Sequence, residues 1–236
     1  VPEVPPDDLP TIRHFSDMGI VAARTDWSGN ESLLVFKCGP CIGHHGVKNF
    51  DRDPGGGHAH PDANHFLLYG CGEKLIRDDG YGSKFTRWHN TLTIGGRGQV
   101  GEGKTYLAVN EILDAKAYPT IRRVSSDSTL DYISGDATKA YPYELGLKRF
   151  VRHMLFLKPN VLIVIDDIEV VESGPLELRF FSEYLPTRKT SGDWVSKGAK
   201  SFLRIALLTP DGVEEKVDLV SLQGSYISPS SSMAGL

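Results

Sequence analysis

The chain has 236 residues, ordinary hydrophobic and charged fractions and a formal net charge of −4 at pH 7. A chain of this length can bury one large core, and its acidic balance argues against a general nucleic-acid-binding surface, which needs a basic excess. Its apolar runs are strand-sized and too short to cross a bilayer, so we expect neither a nucleic acid nor a membrane among its partners.

Short β-rich runs between turn signals recur along the chain, whereas amphipathic helical periodicity is scarce. One helix is predicted around Asn110–Ala117, and Lys158-Pro159-Asn160 is typical of a hairpin turn. The 25 glycines and the short connections predict an all-β fold, a large antiparallel β-sandwich over residues 1–220, followed by a Ser/Gly-rich tail over 221–236. The predicted strands are Ile20–Thr25, Ser32–Lys37, His65–Tyr69, Lys74–Ile76, Thr91–Ile94, Arg149–Leu157, Val161–Ile168, Leu176–Tyr184 and Ser201–Leu208.

The pair Cys38 and Cys41 has the C-x-x-C spacing of redox and zinc motifs. A second C-x-x-C is absent from the sequence, and so is the βαβ pattern of a thioredoxin. We therefore expect either a local disulfide or two buried thiols at these positions.

Histidine and aspartate are concentrated between residues 55 and 65, which read GGGHAHPDANH. In an extended segment, residues two apart project from the same face, so His58 and His60 can point together, and Asp62 with them. Imidazole nitrogen and carboxylate oxygen are the usual ligands of zinc, and a site needs three or four of them. Asp78 and His89 are further candidates, because each lies at a predicted strand end, where a sandwich can bring it beside the H-x-H.

Spacing alone also allows an ordinary role for these residues as surface or hydrogen-bonded side chains. Basic residues follow the H-x-H closely, and they can form a local patch for an anionic ligand or serve as solvated surface charges. These residues are Arg77, Lys84, Arg87, Arg97 and Lys104. We assign the ordinary role to the remaining histidines, which are His14, His44, His45, His65 and His153. Among them the His44-His45 pair is a secondary candidate, because it follows glycine in a predicted loop.

The run GHAHPDANHFLLYGCGEKLIRDDGYG, followed by HNTLTIGGRGQ, resembles the signature of the heparinase II/III-like polysaccharide lyases. Flanking segments agree with it. Phe15-Ser-Asp-Met-Gly19 and Phe36-Lys-Cys-Gly39 precede the histidines, and Arg149-Phe-Val-Arg152 follows them before a strand pair that ends at Asp166-Asp167. The resemblance covers roughly residues 10 to 185 and implies the C-terminal β-sandwich domain of that family, of the supersandwich type.

In that family an N-terminal (α/α) toroid precedes the sandwich, and the substrate lies in the cleft between them. This sequence resembles only the sandwich part. The resemblance therefore implies that the toroid of the same protein is a partner, and that the toroid supplies the family's usual catalytic tyrosine. The chain without a toroid is expected to be an incomplete enzyme.

The resemblance also assigns roles to individual residues. His58 matches a position that faces the substrate and takes part in catalysis, while His60, Asp78 and His89 match the three protein ligands of a zinc ion. Asp62 resembles a carboxylate that orients a histidine. Asn90 and Gln99 are candidates for sugar contact or for a structural role, and Tyr81 is either a site hydroxyl or a packed tyrosine at a strand end.

The reaction implied by the resemblance is β-elimination in a uronic-acid-containing polysaccharide. It needs a group that neutralises the uronate carboxylate, a base near neutral pH and an acid for the leaving oxygen. Histidine and tyrosine suit these tasks. We hypothesise that His58 is the neutraliser or the base, and that zinc has a mostly structural role in fixing the loop that presents it.

Three alternatives stay open: a non-catalytic carbohydrate-binding or interface module with a structural metal, a cupin-type metal oxygenase, and a metal hydrolase. The flanking family motifs argue against the last two. The substrate is expected to be an acidic polysaccharide or oligosaccharide, and homo-oligomerisation stays open. The opening VPEVPPDDLP lacks a signal-peptide pattern and indicates a mature or excised fragment, so a periplasmic or secreted location follows only from the family's substrates.

Overall fold

The computed structural model describes residues 6–55, 58–82, 84–104, 108–171, 174–208, 214–215, 218–221 and 232–235. In chain order the strands are β1 (Ile12–Phe15), β2 (Ile20–Arg24), β3 (Ser32–Lys37), β4 (His65–Gly70), β5 (Glu73–Arg77), β6 (Leu92–Ile94), β7 (Thr120–Ser126), β8 (Leu130–Asp136), β9 (Leu147–Leu157), β10 (Val161–Val170), β11 (Leu176–Leu178), β12 (Phe181–Ser182), β13 (Thr187–Arg188), β14 (Trp194–Lys197), β15 (Phe202–Ile205), β16 (Asp218–Ser221) and β17 (Ser232–Gly235). The helices are α1 (Gly43–Asn49) and α2 (Ala108–Asp114), with short 3-10 helices at Pro6–Asp8, Thr86–Trp88, Thr138–Ala140 and Tyr143–Leu145.

Two larger sheets and two smaller ones organise these strands. The first has eight strands in the order β1-β2-β3-β4-β5-β12-β17-β16, and the second has four in the order β10-β9-β8-β7. A two-stranded sheet pairs β11 with β6, and a three-stranded sheet has the order β13-β14-β15. The described pairings are antiparallel, which confirms the predicted all-β fold, a large antiparallel β-sandwich.

The main core lies between the two larger sheets because alternate side chains of their strands are apolar. Leu34 and Phe36 of β3 are fully buried, and Phe150, Met154 and Phe156 of β9 join them in the same core cluster. Residues two apart on a strand share a face, so each strand places its apolar set on one side. Burying side chains of this size contributes about 1.5–3 kcal/mol each. A slip of one residue would expose the whole set, so the core fixes the register.

The predicted hairpin is confirmed, since Leu157 of β9 pairs with Val161 of β10 on either side of Lys158-Pro159-Asn160. The predicted strand Leu176–Tyr184 was wrong as a single strand. Its first part pairs with β6 as β11, and its second part pairs with β5 and β17 as β12. The N–H of Phe181 donates to the side-chain oxygen of Asn90 over 2.6 Å, at the point where this segment passes from one sheet to the other.

The predicted helix at Asn110–Ala117 is displaced, because α2 begins at Ala108 and ends at Asp114. Lys116 has a φ of +49°, in the left-handed region, which a continuing α-helix cannot accommodate. Helix α1 was not predicted. Among the described residues no helix is long and apolar enough to span a membrane.

The predicted tail over 221–236 falls mostly outside the described residues. Of the part that is described, Ser221 ends β16, and residues 232–235 form β17, whose backbone pairs with β12 and β16. The division at residue 220 stays a prediction. The two thiols of the C-x-x-C are free, with Cys38 buried and Cys41 half-buried, so the disulfide alternative was wrong. Burial raises the pKa of both thiols, that of Cys41 to about 11.

Candidate functional site

The histidine-aspartate cluster lies where β4 begins and β5 ends, at one end of the eight-stranded sheet. His65 is the first residue of β4, and Asp78 directly follows β5. Because the two strands are antiparallel neighbours, these two ends lie side by side. His89 follows the 3-10 helix Thr86–Trp88 and comes just before β6. Three segments that are separate in the sequence therefore meet at this point.

One carboxylate oxygen, Oδ2 of Asp78, approaches both imidazole rings. It lies 3.4 Å from Nε2 of His65 and 3.3 Å from Nδ1 of His89. Both distances are long for a hydrogen bond to a carboxylate, and neither nitrogen, though buried, has a hydrogen-bond partner among the described residues. In a tetrahedral site with zinc bonds of roughly 2.0–2.1 Å, neighbouring ligand atoms lie about 3.4 Å apart. The spacing therefore fits a zinc ion.

The hydrogen bonds of His65 indicate what its ring can do. The backbone N–H of Asn90 donates to Nδ1 of His65 over 3.0 Å. Burial lowers the pKa of His65, so its ring is neutral near pH 7 and carries one proton. With Nδ1 accepting, that proton sits on Nε2 and points toward Asp78. His65 thus suits the orientation of the Asp78 carboxylate better than direct metal binding, although the three ligand-type atoms lie within 4.8 Å of one another.

His60 reaches the cluster from the loop before β4. Its Nδ1 lies 3.3 Å from Nε2 of His89, so His89 has His60 on one side of its ring and Asp78 on the other. Burial, with the neighbouring His89 charge, lowers the pKa of His60 to about 4. A neutral imidazole is the form that binds a metal. The structure thus brings His60, Asp78 and His89 together, but His60 and Asp78 face different nitrogens of His89.

Asp78 is ionised in this environment. Burial alone would raise the pKa of its carboxyl, but the close approach of the His65 and His89 rings outweighs burial and holds that pKa below its ordinary value. Asp62, which was expected to orient a histidine, is buried and lies with its Oδ1 2.5 Å from Nζ of Lys37. The Asp78 carboxylate is the one in this cluster that meets histidine rings in the described contacts.

His58 and Tyr81 form an exposed pair beside the buried cluster. The Tyr81 hydroxyl is in hydrogen-bond contact with Nδ1 of His58, and the rings stack with centroids 5.5 Å apart. The Tyr81 ring also lies 6.3 Å from that of His60 and 5.7 Å from the ammonium of Lys84. His58 lies in a turn and not in the extended segment expected for the H-x-H. Its position nevertheless leaves its ring open to a ligand in solution.

Asn90 and Gln99, the predicted sugar contacts, are both buried. The Asn90 amide donates to the carbonyls of Phe66 and Arg77, each over 2.8 Å, and its side-chain oxygen accepts from Phe181. Gln99 forms two hydrogen bonds to the backbone of Ala63, at 2.8 and 3.0 Å. These placements favour the structural role that was the alternative for both residues.

Sequence reasoning missed two residues of this region. His65 was treated as ordinary, although its ring lies against Asp78, and nothing in its spacing from the H-x-H distinguished it. Arg152 was noticed only as part of a flanking motif, yet its side chain is fully buried and reaches this region from the opposite sheet. A buried arginine in a strand carries no sequence signal that identifies its contacts.

A family model described as "Heparinase II/III-like, C-terminal" matches residues 7–192. The heparan sulfate lyase HepC from Pedobacter heparinus matches with a TM-score of 0.68 and 18% identity, over 96% of this chain and 34% of HepC. A heparinase III, the BT4657 gene product, matches with a TM-score of 0.69 and 13% identity, over 95% of this chain and 33% of that protein.

At these identities the structural likeness shows the fold alone. The chain spans about a third of the length of the solved structures it matches. The family match confirms the resemblance in the sequence, while the roles of individual site residues and the zinc ion stay predictions.

Proposed function

The chain belongs to the heparinase II/III-like family, and we propose that it is the β-sandwich domain of a polysaccharide lyase that cleaves uronic-acid-containing polysaccharides by β-elimination. The proposal includes a toroid domain elsewhere in the same protein. A periplasmic or extracellular location is part of it, because a polymeric substrate is met outside the cytoplasm.

The observation that carries this proposal is the exposed pair of His58 and Tyr81 beside a buried polar cluster. A general acid or base must reach the substrate and titrate near the working pH. An imidazole in contact with a phenol offers two groups that can exchange a proton at a surface open to a polymer chain. The buried histidines below them are neutral or face Asp78, so they suit support and not contact with sugar.

In the proposed reaction the C5 proton of a uronate passes to a base, and a double bond forms between C4 and C5. The C4–O4 bond breaks, and the leaving oxygen receives a proton from an acid. His58 is proposed as the base or as the group that neutralises the uronate carboxylate, and Tyr81 as a hydroxyl in hydrogen-bond contact with His58. The proton removed and the proton delivered balance, so no oxidant or reductant is needed.

A zinc ion is proposed to be held by His60, Asp78 and His89, with His65 orienting Asp78. When bound, zinc supplies a link between three chain segments, which stabilises the loop that presents His58. The support for this assignment is the family resemblance in the sequence, the 3.3 Å separation between Asp78 Oδ2 and His89 Nδ1, and the acceptor role of Nδ1 in His65. His60 lies 3.3 Å from the other nitrogen of the His89 ring, so a ring would have to turn for all three residues to hold one ion.

The test is a lyase assay on the toroid-containing protein with heparan, alginate and hyaluronan as separate substrates. We expect the ultraviolet absorbance of an unsaturated uronate to rise with at least one of them. Saturated products from every cleaved polymer would contradict elimination and would favour hydrolysis.

A second candidate function is a non-catalytic carbohydrate-binding module. Elimination needs three groups, which are a neutraliser, a base and an acid. In the described residues His58 and Tyr81 are the exposed members of the candidate site, and this observation favours the module. Binding of uronate polymers by both this chain and the toroid-containing protein, with no unsaturated product from either, would favour the module.

A further inference from the structure

A buried arginine of the four-stranded sheet binds the backbone next to the candidate metal site. The side chain of Arg152, on β9, is fully buried. Its Nη1 donates to the carbonyl of Asn64 over 2.7 Å and to the carbonyl of Asn90 over 2.5 Å. Asn64 directly precedes His65, and Asn90 directly follows His89. One guanidinium nitrogen therefore joins the two backbone segments that carry the buried histidines.

The rest of the guanidinium is fixed by Asp166 on the neighbouring strand β10. Its Nε and Nη2 donate to the two carboxylate oxygens of Asp166 over 2.7 and 2.8 Å. This two-pronged ion pair holds the guanidinium plane in one orientation and compensates its buried charge. A lysine in its place would keep the charge, but it has one nitrogen and cannot reproduce the planar fork.

Asn90 adds the third segment. Its side-chain amide donates to the carbonyl of Arg77, which directly precedes Asp78, and to the carbonyl of Phe66, which directly follows His65. His65, Asp78 and His89 thus each have a chain neighbour whose carbonyl is held by Arg152 or Asn90. Asn64 has a φ of +60°, an uncommon conformation for a residue other than glycine, and the contact with Arg152 helps to hold it there.

We infer that Arg152 is a positioning residue, which with Asn90 sets the spacing of the segments of His65, Asp78 and His89, two of which carry proposed zinc ligands. The role of Arg152 in zinc binding rests on the proposed zinc site, whereas its hydrogen bonds to Asn64 and Asn90 do not depend on a metal. Arg152 touches neither the substrate nor the metal. It acts by holding the carbonyl of Asn64, just before His65, and the carbonyl of Asn90, just after His89, at a fixed separation.

The test compares the variant Arg152→Lys with the control variant Arg149→Lys. Arg149 lies three residues earlier on the same strand, but it is exposed and pairs with Asp167 and Glu169 at the surface. Zinc affinity is measured by competition titration, and the visible spectrum of the cobalt-substituted protein reports the coordination geometry. We expect Arg152→Lys to weaken zinc binding by about 10- to 100-fold and to alter the cobalt spectrum, with Arg149→Lys unchanged.

A second variant keeps the inference testable if Arg152→Lys does not fold. Arg152→Met combined with Asp166→Leu removes both charges, so no buried charge is left without a partner. We expect it to keep the β-sheet circular dichroism spectrum of the unaltered chain and to lose zinc affinity. A folded variant of either kind with the original zinc affinity and cobalt spectrum would overturn the inference.

Amide hydrogen exchange in the absence of metal separates this inference from the zinc proposal. In Arg152→Lys the amides of residues 63–66 and 89–91 should exchange faster than in the unaltered chain, while the amides of β10 should not change. If the unaltered chain binds no zinc, the zinc proposal fails, and the exchange measurement alone decides whether Arg152 positions the segments. Unchanged exchange at both segments would then rule out the positioning role of Arg152.

Discussion

The backbone N–H of Asn90 donates to Nδ1 of His65 over 3.0 Å, and both residues are buried. Because Nδ1 accepts this bond, the single proton of the neutral ring sits on Nε2, on the side of Asp78. His65 and His89 therefore differ in their ability to bind a metal, although both lie against the carboxylate of Asp78. The proton on Nε2 makes His65 a poorer zinc ligand than His60 in the proposed site, and this distinction sets the first prediction.

Replacing His60 with alanine should abolish stoichiometric zinc binding, because a proposed ligand is lost. Replacing His65 with alanine should weaken binding by about 10- to 100-fold without abolishing it, because only the orientation of Asp78 is lost. Elemental mass spectrometry and competition titration of the purified proteins measure both effects. His153→Ala, whose ring contacts Tyr132 and not the cluster in the described contacts, is the control. A complete loss in His65→Ala with retention in His60→Ala would reverse the assignment.

His58→Ala and Tyr81→Phe should each lower kcat of the toroid-containing protein by about 10²- to 10⁴-fold, the size expected for loss of a general acid or base. Zinc content should not change, since neither residue is a proposed ligand. The chain offers a matched control, because Tyr132 and His153 form a second stacked pair, with the Tyr132 hydroxyl 2.7 Å from Nδ1 of His153. Tyr132→Phe should leave turnover unchanged. Normal turnover in His58→Ala would contradict a catalytic role for His58.

Zinc should stabilise the folded chain by mass action, since the three proposed ligands come together only on folding. At a free zinc concentration about 100 times Kd, the free energy of unfolding should rise by about 2.7 kcal/mol. Denaturant titrations with zinc and with a chelator measure the difference. The His60→Ala variant should show no such difference. An equal effect of zinc on that variant would point to a different binding site.

Glu73 should make the free energy of unfolding depend on pH in the acid range. Its carboxylate accepts hydrogen bonds from Ser201 Oγ and from the N–H groups of Ala199, Lys200 and Ser201, between 2.6 and 3.0 Å, at the turn from β14 to β15. These bonds, that of the Ser201 side chain first, lower its pKa from 4.5 to about 2. The folded state then binds fewer protons than the unfolded state, so the contribution is complete above about pH 5 and lost toward pH 2.

The variant Glu73→Gln isolates this contribution. The difference in unfolding free energy between the unaltered chain and the variant should be constant from pH 5 to 7 and shrink below pH 4.5. Urea unfolding at each pH measures it. A difference that stays constant down to pH 2 would mean that Glu73 titrates normally in the folded chain.

Gly135→Ala should destabilise the chain by about 1–3 kcal/mol, because a Cβ at this position meets packed atoms on three sides. It would lie 2.5 Å from Oδ1 of Asn64, 2.7 Å from Cβ of Cys38 and 2.8 Å from Cε1 of Phe36. Chemical denaturation checks the loss. Ser125→Ala, an exposed position on the neighbouring strand β7, should stay within about 0.5 kcal/mol of the unaltered chain. A neutral Gly135→Ala would mean that the Asn64 segment can move aside.

The sequence by itself determined the fold class and about half of the strands of the two larger sheets. The period-2 pattern of Val161–Ile168 and the turn at Pro159-Asn160 are local signals, and the hairpin they predict is present. Strands without a strong local pattern, such as β7 and β17, were missed. Residues 176–184 divide between two sheets, and Phe181, which begins the second part, bonds to Asn90, a residue 91 positions away.

The family resemblance of the sequence assigned His60, Asp78 and His89 as a set of zinc ligands, and this assignment stays a prediction. Tertiary structure alone decided that His65 faces Asp78, that Asn90 and Gln99 are buried, and that Arg152 holds the histidine segments. Burial and proton position depend on contacts between residues 25 to 88 positions apart, and no local pattern encodes such contacts. Residue type thus indicated the chemistry, and the packing of the two sheets determined which atoms are free to perform it.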